Sequence, residues 1–185
     1  MLAVAAALGQ WAQYAHCSSA ITRLLNTVEF LGNLLPHPVT LFALLALLIA
    51  VPLQSAAEEF VFRGALPQIL GQWRWPAWLA YLVPGALFVA SHVYNWVGLV
   101  DIAIFALCTS LLAWRTGGIE APIVLHAVGN VMVFGYGALA LSDPTETEIL
   151  PADTIMSSLV TVGTTALLLW ALRDVSPERE KVSTG

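Results

Sequence analysis

The sequence predicts an all-α fold: a polytopic bundle of transmembrane helices around a polar intramembrane chamber. Three observations carry that prediction. The 185 residues are 58% hydrophobic and 10% charged, with a mean hydropathy of +0.79, whereas soluble domains are about 25% charged. Five charge-free runs, residues 1–22, 39–57, 75–100, 121–142 and 154–172, approach or exceed the ~20 residues a helix needs to cross ~30 Å of hydrocarbon. They lack the period-two alternation of outer-membrane barrel strands. Finally, three short polar motifs lie within the apolar stretches, around Glu58-Glu59, His92 and His126. An ionisable side chain at the bilayer centre costs on the order of 2.5 to 3.5 kcal/mol on insertion scales, so their recurrence argues for one shared polar site.

Taken in order, residues 1–22 read as a transmembrane helix rather than a signal peptide, because no Lys or Arg precedes Arg23 and the run exceeds a usual signal core. Gln10, Gln13 and His16 make it the most polar of the spans. The run 39–57 is the second helix, and it ends at the paired glutamates. Loops follow at residues 36–38, 71–76, 116–118 and 142–151, where Gly, Pro and polar residues collect. The run 75–100 raises a problem of depth. Crossed as one straight helix, it would put His92 near the far side, remote from Glu58. Two helices over residues 78–92 and 101–115, each of about 15 residues and ~22 Å, place His92 inside the membrane instead. Their connection, residues 93–100, then lies below the outer surface, where irregular backbone requires surrounding protein or a water-filled chamber. Tyr94, Asn95 and Trp96 would line it. Residues 121–142 and 154–172 complete a single domain over residues 1–185, with a catalytic core at about 51–134 and a short solvated tail at 173–185.

Most of the net charge of −5 lies in segment 142–153, which holds four acidic residues and no basic one, while the tail adds further acids among its bases. No basic patch offers a nucleic-acid surface. The expected location is the cell membrane, with Arg74, Arg115 and the C-terminus on the cytoplasmic side and the acidic segment outside. Cys17 and Cys108, both within apolar runs, read as small packing residues.

Glu58 and Glu59 are helical neighbours about 100° apart, so they serve different ends. Glu59 pairs with Arg63 at i,i+4. Glu58 is then the less compensated carboxylate, which suits a general base. Phe88 precedes His92 by one turn and can pack under its imidazole. His126 and Asn130 are likewise i,i+4, and both can donate hydrogen bonds to a developing oxyanion. Each motif alone also has a plain structural reading: an interfacial Glu-Arg pair, a hydrogen-bonded core histidine, a polar helix contact.

Together, the order Glu58-Glu59-Phe60-Val61-Phe62-Arg63, then Phe88-Val89-Ala90-Ser91-His92, then His126-Ala127-Val128-Gly129-Asn130 resembles the CAAX-protease and bacteriocin-processing (CPBP, Abi-type) family of intramembrane peptidases. The resemblance spans residues 51 to about 134. It implies hydrolysis of a peptide bond in or near the membrane, with a peptide or protein substrate and the lipid bilayer as partners. Glu58 would activate water with help from His92, His126 and Asn130 would hold the oxyanion, and Glu59, Arg63 and Phe88 would support them. No cofactor is favoured. The nearest alternative is a zinc metalloprotease with His92, His126 and Glu58 as ligands. It is disfavoured because no His-Glu-x-x-His pair occurs and Asn130 is a poor zinc ligand. A transport pathway or a non-catalytic membrane scaffold would use the same residues differently, but no internal repeat supports transport.

Overall fold

The computed structural model describes Gly32, residues 38–139 and residues 145–173. Its elements are α1 (Pro38–Glu59), a π-helical turn (Phe60–Ala65), α2 (Leu66–Gln72), α3 (Ala77–Ala90), α4 (Trp96–Thr116), α5 (Glu120–Ala138) and α6 (Pro151–Ala171). No strand occurs among the described residues. Among the described residues, four helical stretches are long and apolar enough to cross a membrane: Pro38–Gln72 as one continuous path, Trp96–Thr116, Glu120–Ala138 and Pro151–Ala171. The all-α, multi-span expectation holds. The expected helix over 1–22, Cys17 and the tail beyond Arg173 lie outside the described residues.

The described chain groups into two units, residues 38–49 with 132–139, and residues 50–131 with 145–173. Every motif residue belongs to the second. Within it, α4 packs against α6 and α3, and the usual polarity is inverted. Leu53, Leu107 and Leu159 are exposed, whereas Ser55, Glu59, Arg63, Thr109 and His126 are buried. In lipid this is the favourable arrangement, because hydrocarbon solvates leucine and cannot solvate a charge.

The π turn has a local cause. Pro67 has no N–H to return to Arg63, so the α ladder is already broken there. The chain closes one residue wider, with the Leu66 N–H bonding the Val61 carbonyl. The helix thereby continues to Gln72. Its axis is reset just after Glu58 and Glu59.

The two helices expected over 78–92 and 101–115 have different limits. The first stops at Ala90 and the second begins at Trp96, so the connection is the short turn 91–95 and α4 is long enough for a full crossing. Asn95 is the reason. Its Oδ1 accepts from the Gly98 N–H at 2.9 Å and caps a helix that starts well before Asp101. Asp101 is accommodated inside α4 because its carboxylate accepts from Ser158 Oγ on α6 at 2.8 Å. At the other end Gly117 closes α4 in the left-handed region at φ 75°.

Gly98 is where segment 145–150 rests on α4. A Cβ there would lie 2.8 Å from Ile149 Cγ1 and 2.8 Å from Tyr94 Cβ. Gly98→Ala should therefore destabilise the folded protein by about 1–3 kcal/mol, the usual cost of overpacking. Thermal unfolding in detergent checks this, with Gly129→Ala, where a Cβ meets nothing within 4 Å, as the neutral comparison.

Candidate active site

The site begins as a stripe on α1. Ser55, Glu59 and Arg63 follow at four-residue steps and are all buried, while Gln54 and Glu58 form a parallel, more open row. Arg63 Nη1 donates to Glu59 Oε1 at 3.1 Å, with both side chains at 0% exposure. The expected i,i+4 pair is present. Glu58 keeps 28% of its side chain exposed and accepts from Gln54 Nε2 at 2.9 Å, as the less compensated of the two carboxylates.

His126 enters from α5. Its Nδ1 donates to Glu59 Oε1 at 2.7 Å, because a carboxylate between Arg63 and an imidazole acts as acceptor. Its Nε2 faces Glu58 Oε2 at 3.7 Å. That gap exceeds a direct hydrogen bond and leaves room for a shared proton carrier. One turn further along α5, Asn130 Nδ2 donates to Ser55 Oγ at 3.4 Å. The sequence motifs on α1 and α5 thus meet along two successive turns of each helix.

Phe88, from α3, is the hub. Its ring centroid lies 4.7 Å from that of His92, 5.8 Å from that of His126, 5.2 Å from that of Phe62 and 4.3 Å from Arg63 Cζ. One fully buried ring therefore touches both imidazoles and covers the guanidinium face, a cation–π contact worth ~2 kcal/mol when desolvated. His92 Nδ1 donates to the Phe88 carbonyl at 2.8 Å, which orients the ring and leaves Nε2 as the nitrogen available to water. Phe105 on α4 completes the aromatic wall, edge-on to His126 at 4.9 Å.

Sequence reasoning misses Ser55, Gln54 and Phe105. The first two are legible as residues one turn before Glu59 and Glu58. Phe105 carries no local signal, since only tertiary packing brings α4 to His126. Among the described residues, buried Glu59 Oε2, Arg63 Nε and Arg63 Nη2 have no hydrogen-bond partner. As for zinc, no three His, Cys, Asp or Glu side chains among the described residues group as a metal site. Both Nδ1 atoms are engaged, by Glu59 and by the Phe88 carbonyl, which leaves Nε2 as the free nitrogen of each ring.

An apolar cavity of about 550 Å³ opens between α3 and α4, lined among others by Tyr81, Gly85, Val89, Ala106 and Ser110.

Known proteins resemble this chain over part of its length. The sequence profile of the Rce1-like family, type II CAAX prenyl endopeptidase Rce1-like, matches residues 38–132, which include every motif residue. An uncharacterised 24.3 kDa protein of Escherichia coli is 31% identical over 103 residues, 54% of this chain and 46% of that protein. The uncharacterised protein YyaK of Bacillus subtilis is 32% identical over 101 residues, 50% of this chain and 33% of that protein. The chain thus spans less than half the length of each of these two relatives. No solved structure matches significantly.

Arg63→Met should cost about 3–5 kcal/mol, because it leaves the buried Glu59 charge without its cation. Adding Glu59→Gln should recover part of the loss. Thermal unfolding of the two single variants and the double variant measures the coupling.

Proposed function

Because the chain belongs to the Rce1-like family of type II CAAX prenyl endopeptidases, we propose that it is an intramembrane endopeptidase whose Glu58 activates water against a peptide bond. The observation that carries this reading is the division of labour between the glutamates. Glu59 is fully buried, bonded to Arg63 and His126, while Glu58 is partly open and faces His126 across 3.7 Å.

In this reading Glu58 takes a proton from a water that His92 Nε2 also holds, and the hydroxide adds to the scissile carbonyl. Negative charge moves to the carbonyl oxygen. Asn130 Nδ2 and His126 Nε2 donate to it, and Glu58 returns its proton to the departing amine. Donation from both nitrogens is open to His126 only in its imidazolium form. General-base help of ~10²–10⁴ and an oxyanion donor of ~10²–10³ then multiply. No step is routed through a metal.

The substrate class proposed is a membrane-associated peptide or protein. The apolar cavity between α3 and α4 supports it, since it offers a lipid-like volume between the two helices that flank the turn carrying His92. The protein acts as a multi-pass protein of the cell membrane with its C-terminus in the cytoplasm. A non-catalytic scaffold is the competing reading from another class.

Glu58→Gln should lower turnover of a membrane-reconstituted peptide by at least about 10²-fold while the protein stays folded. A scaffold would keep its function. Glu59→Gln and Arg63→Ala should resemble each other, losing stability together with activity. Extended dialysis against chelator should leave the rate unchanged. Stoichiometric metal whose return alone restores activity would refute the metal-free mechanism. Ala86→Phe, which narrows the cavity from its exposed side, should raise KM several-fold and leave kcat within about twofold, the signature of lost uniform binding.

A further inference from the structure

The turn that presents His92 is held by more bonds than helix capping requires. We propose that Asn95 is a positioning residue for His92, clamping the turn 91–95 to segment 147–149; the inference rests on the peptidase reading above. An N-cap needs one acceptor, and Oδ1 supplies it to Gly98 N–H at 2.9 Å. Beyond that, the Asn95 backbone N–H donates to the Thr147 carbonyl at 3.0 Å. Its Nδ2 donates to the Ile149 carbonyl at 3.0 Å and to Glu148 Oε2 at 3.1 Å. Its own carbonyl accepts from Leu99 N–H at 3.0 Å. Every polar group of the residue is engaged.

Only asparagine meets these demands. Ser or Thr would keep the cap and lose both donors, Asp would keep the cap and face the Glu148 carboxylate, and Gln carries its amide one carbon too far. The receiving surface is matched to it. Gly98 has no side chain where Ile149 and Tyr94 lie, both 2.8 Å from the position of a Cβ. Segment 145–150 is anchored in turn through α6, whose Thr154 Oγ1 donates to the Val97 carbonyl at 3.3 Å.

The clamp reaches His92 through Tyr94. The His92 imidazole stacks on Tyr94, with centroids 6.2 Å apart and planes at 18°, and leans on Phe88 from the α3 side. The Phe88 carbonyl fixes Nδ1. With α3 held at one end of the turn and Asn95 at the other, the ring has one orientation. Releasing Asn95 frees Tyr94 and the ring together. The partner segment 147–149 lies outside the family-matched region 38–132.

The test compares Asn95→Ala, Asn95→Asp, Asn95→Asp combined with Glu148→Gln, and Ser158→Ala in the purified full chain. Ser158→Ala removes another α4–α6 bond without touching the turn. Asn95→Ala and Asn95→Asp should lower kcat by about tenfold to hundredfold with KM within about twofold, the pattern of a misplaced group rather than lost binding. In the double variant the amide introduced at position 148 can donate to the carboxylate introduced at position 95 while the donor to the Ile149 carbonyl stays lost, so kcat should rise several-fold above that of Asn95→Asp without reaching the wild type. Ser158→Ala should retain its kcat. A second reading needs no activity: in protein labelled with ¹³C-histidine, the ring-current-shifted His92 resonance should move in Asn95→Ala and stay in Ser158→Ala. Normal kcat in Asn95→Ala, a loss confined to KM, or no rescue in the double variant would overturn the proposal. If the wild type cleaves nothing, the peptidase reading fails on its own, and an unmoved His92 resonance in Asn95→Ala then overturns the clamp separately.

Discussion

The buried contact of Glu59 with Arg63 and His126 is the constraint to which the rest of the described structure answers. Ionised groups withdrawn from water cost several kcal/mol each even after relaxation, and in a membrane no solvent waits nearby to relieve a misplaced one. Glu59 and Arg63 at 0% side-chain exposure therefore oblige α5 to bring His126 to 2.7 Å and α3 to lay Phe88 over the guanidinium at 4.3 Å. Removing any of these leaves a charge with poorer compensation, so the cluster ties α1, α3 and α5 together more specifically than apolar packing could. Leucine against leucine in lipid has little preference for one register over another.

The π turn is the geometric counterpart of that constraint. A regular helix through Pro67 would lose a hydrogen bond at Arg63 in any case, and the wider turn relocates the defect to the residues following the glutamates. Two adjacent carboxylates thereby acquire unlike surroundings: Glu59 inside, with a cation and an imidazole, and Glu58 at the opening, with an amide from Gln54. Unlike environments for like groups are what acid–base chemistry needs. Phe88 serves both sides of this arrangement, because its ring is apolar enough to be buried and its face is negative enough to rest against Arg63.

Outside this core the chain uses ordinary devices with particular placement. A single asparagine cap sets where α4 begins, and with it the length of the turn that carries His92. The segment after α5 then joins that turn rather than passing over it, through Thr147, Glu148 and Ile149. Family membership covers the polar cluster, while this attachment is drawn from beyond the matched residues.

Much of this is legible in the amino-acid order alone. Length and apolarity of the runs determine that the chain is helical and crosses a membrane, because no other backbone without alternating strands satisfies its own hydrogen bonds in hydrocarbon. The i,i+4 spacings determine that Glu59 pairs with Arg63 and that Phe88 shares a face with His92, because helical periodicity is local. The limits of α3 and α4 differ from expectation for a reason that is only partly local: the cap at Asn95 outweighs the charge at Asp101 as a start signal, once Ser158 on another helix has accommodated that charge. What only the tertiary structure decided is which nitrogen of His126 meets which glutamate, that Phe105 walls the cluster, that Ser55 receives Asn130, and that segment 147–149 grips Asn95. Each of these joins residues far apart in the chain. Such contacts are fixed by the requirement that every buried polar group find a partner in three dimensions, a condition imposed on the whole fold rather than written into any one stretch of sequence.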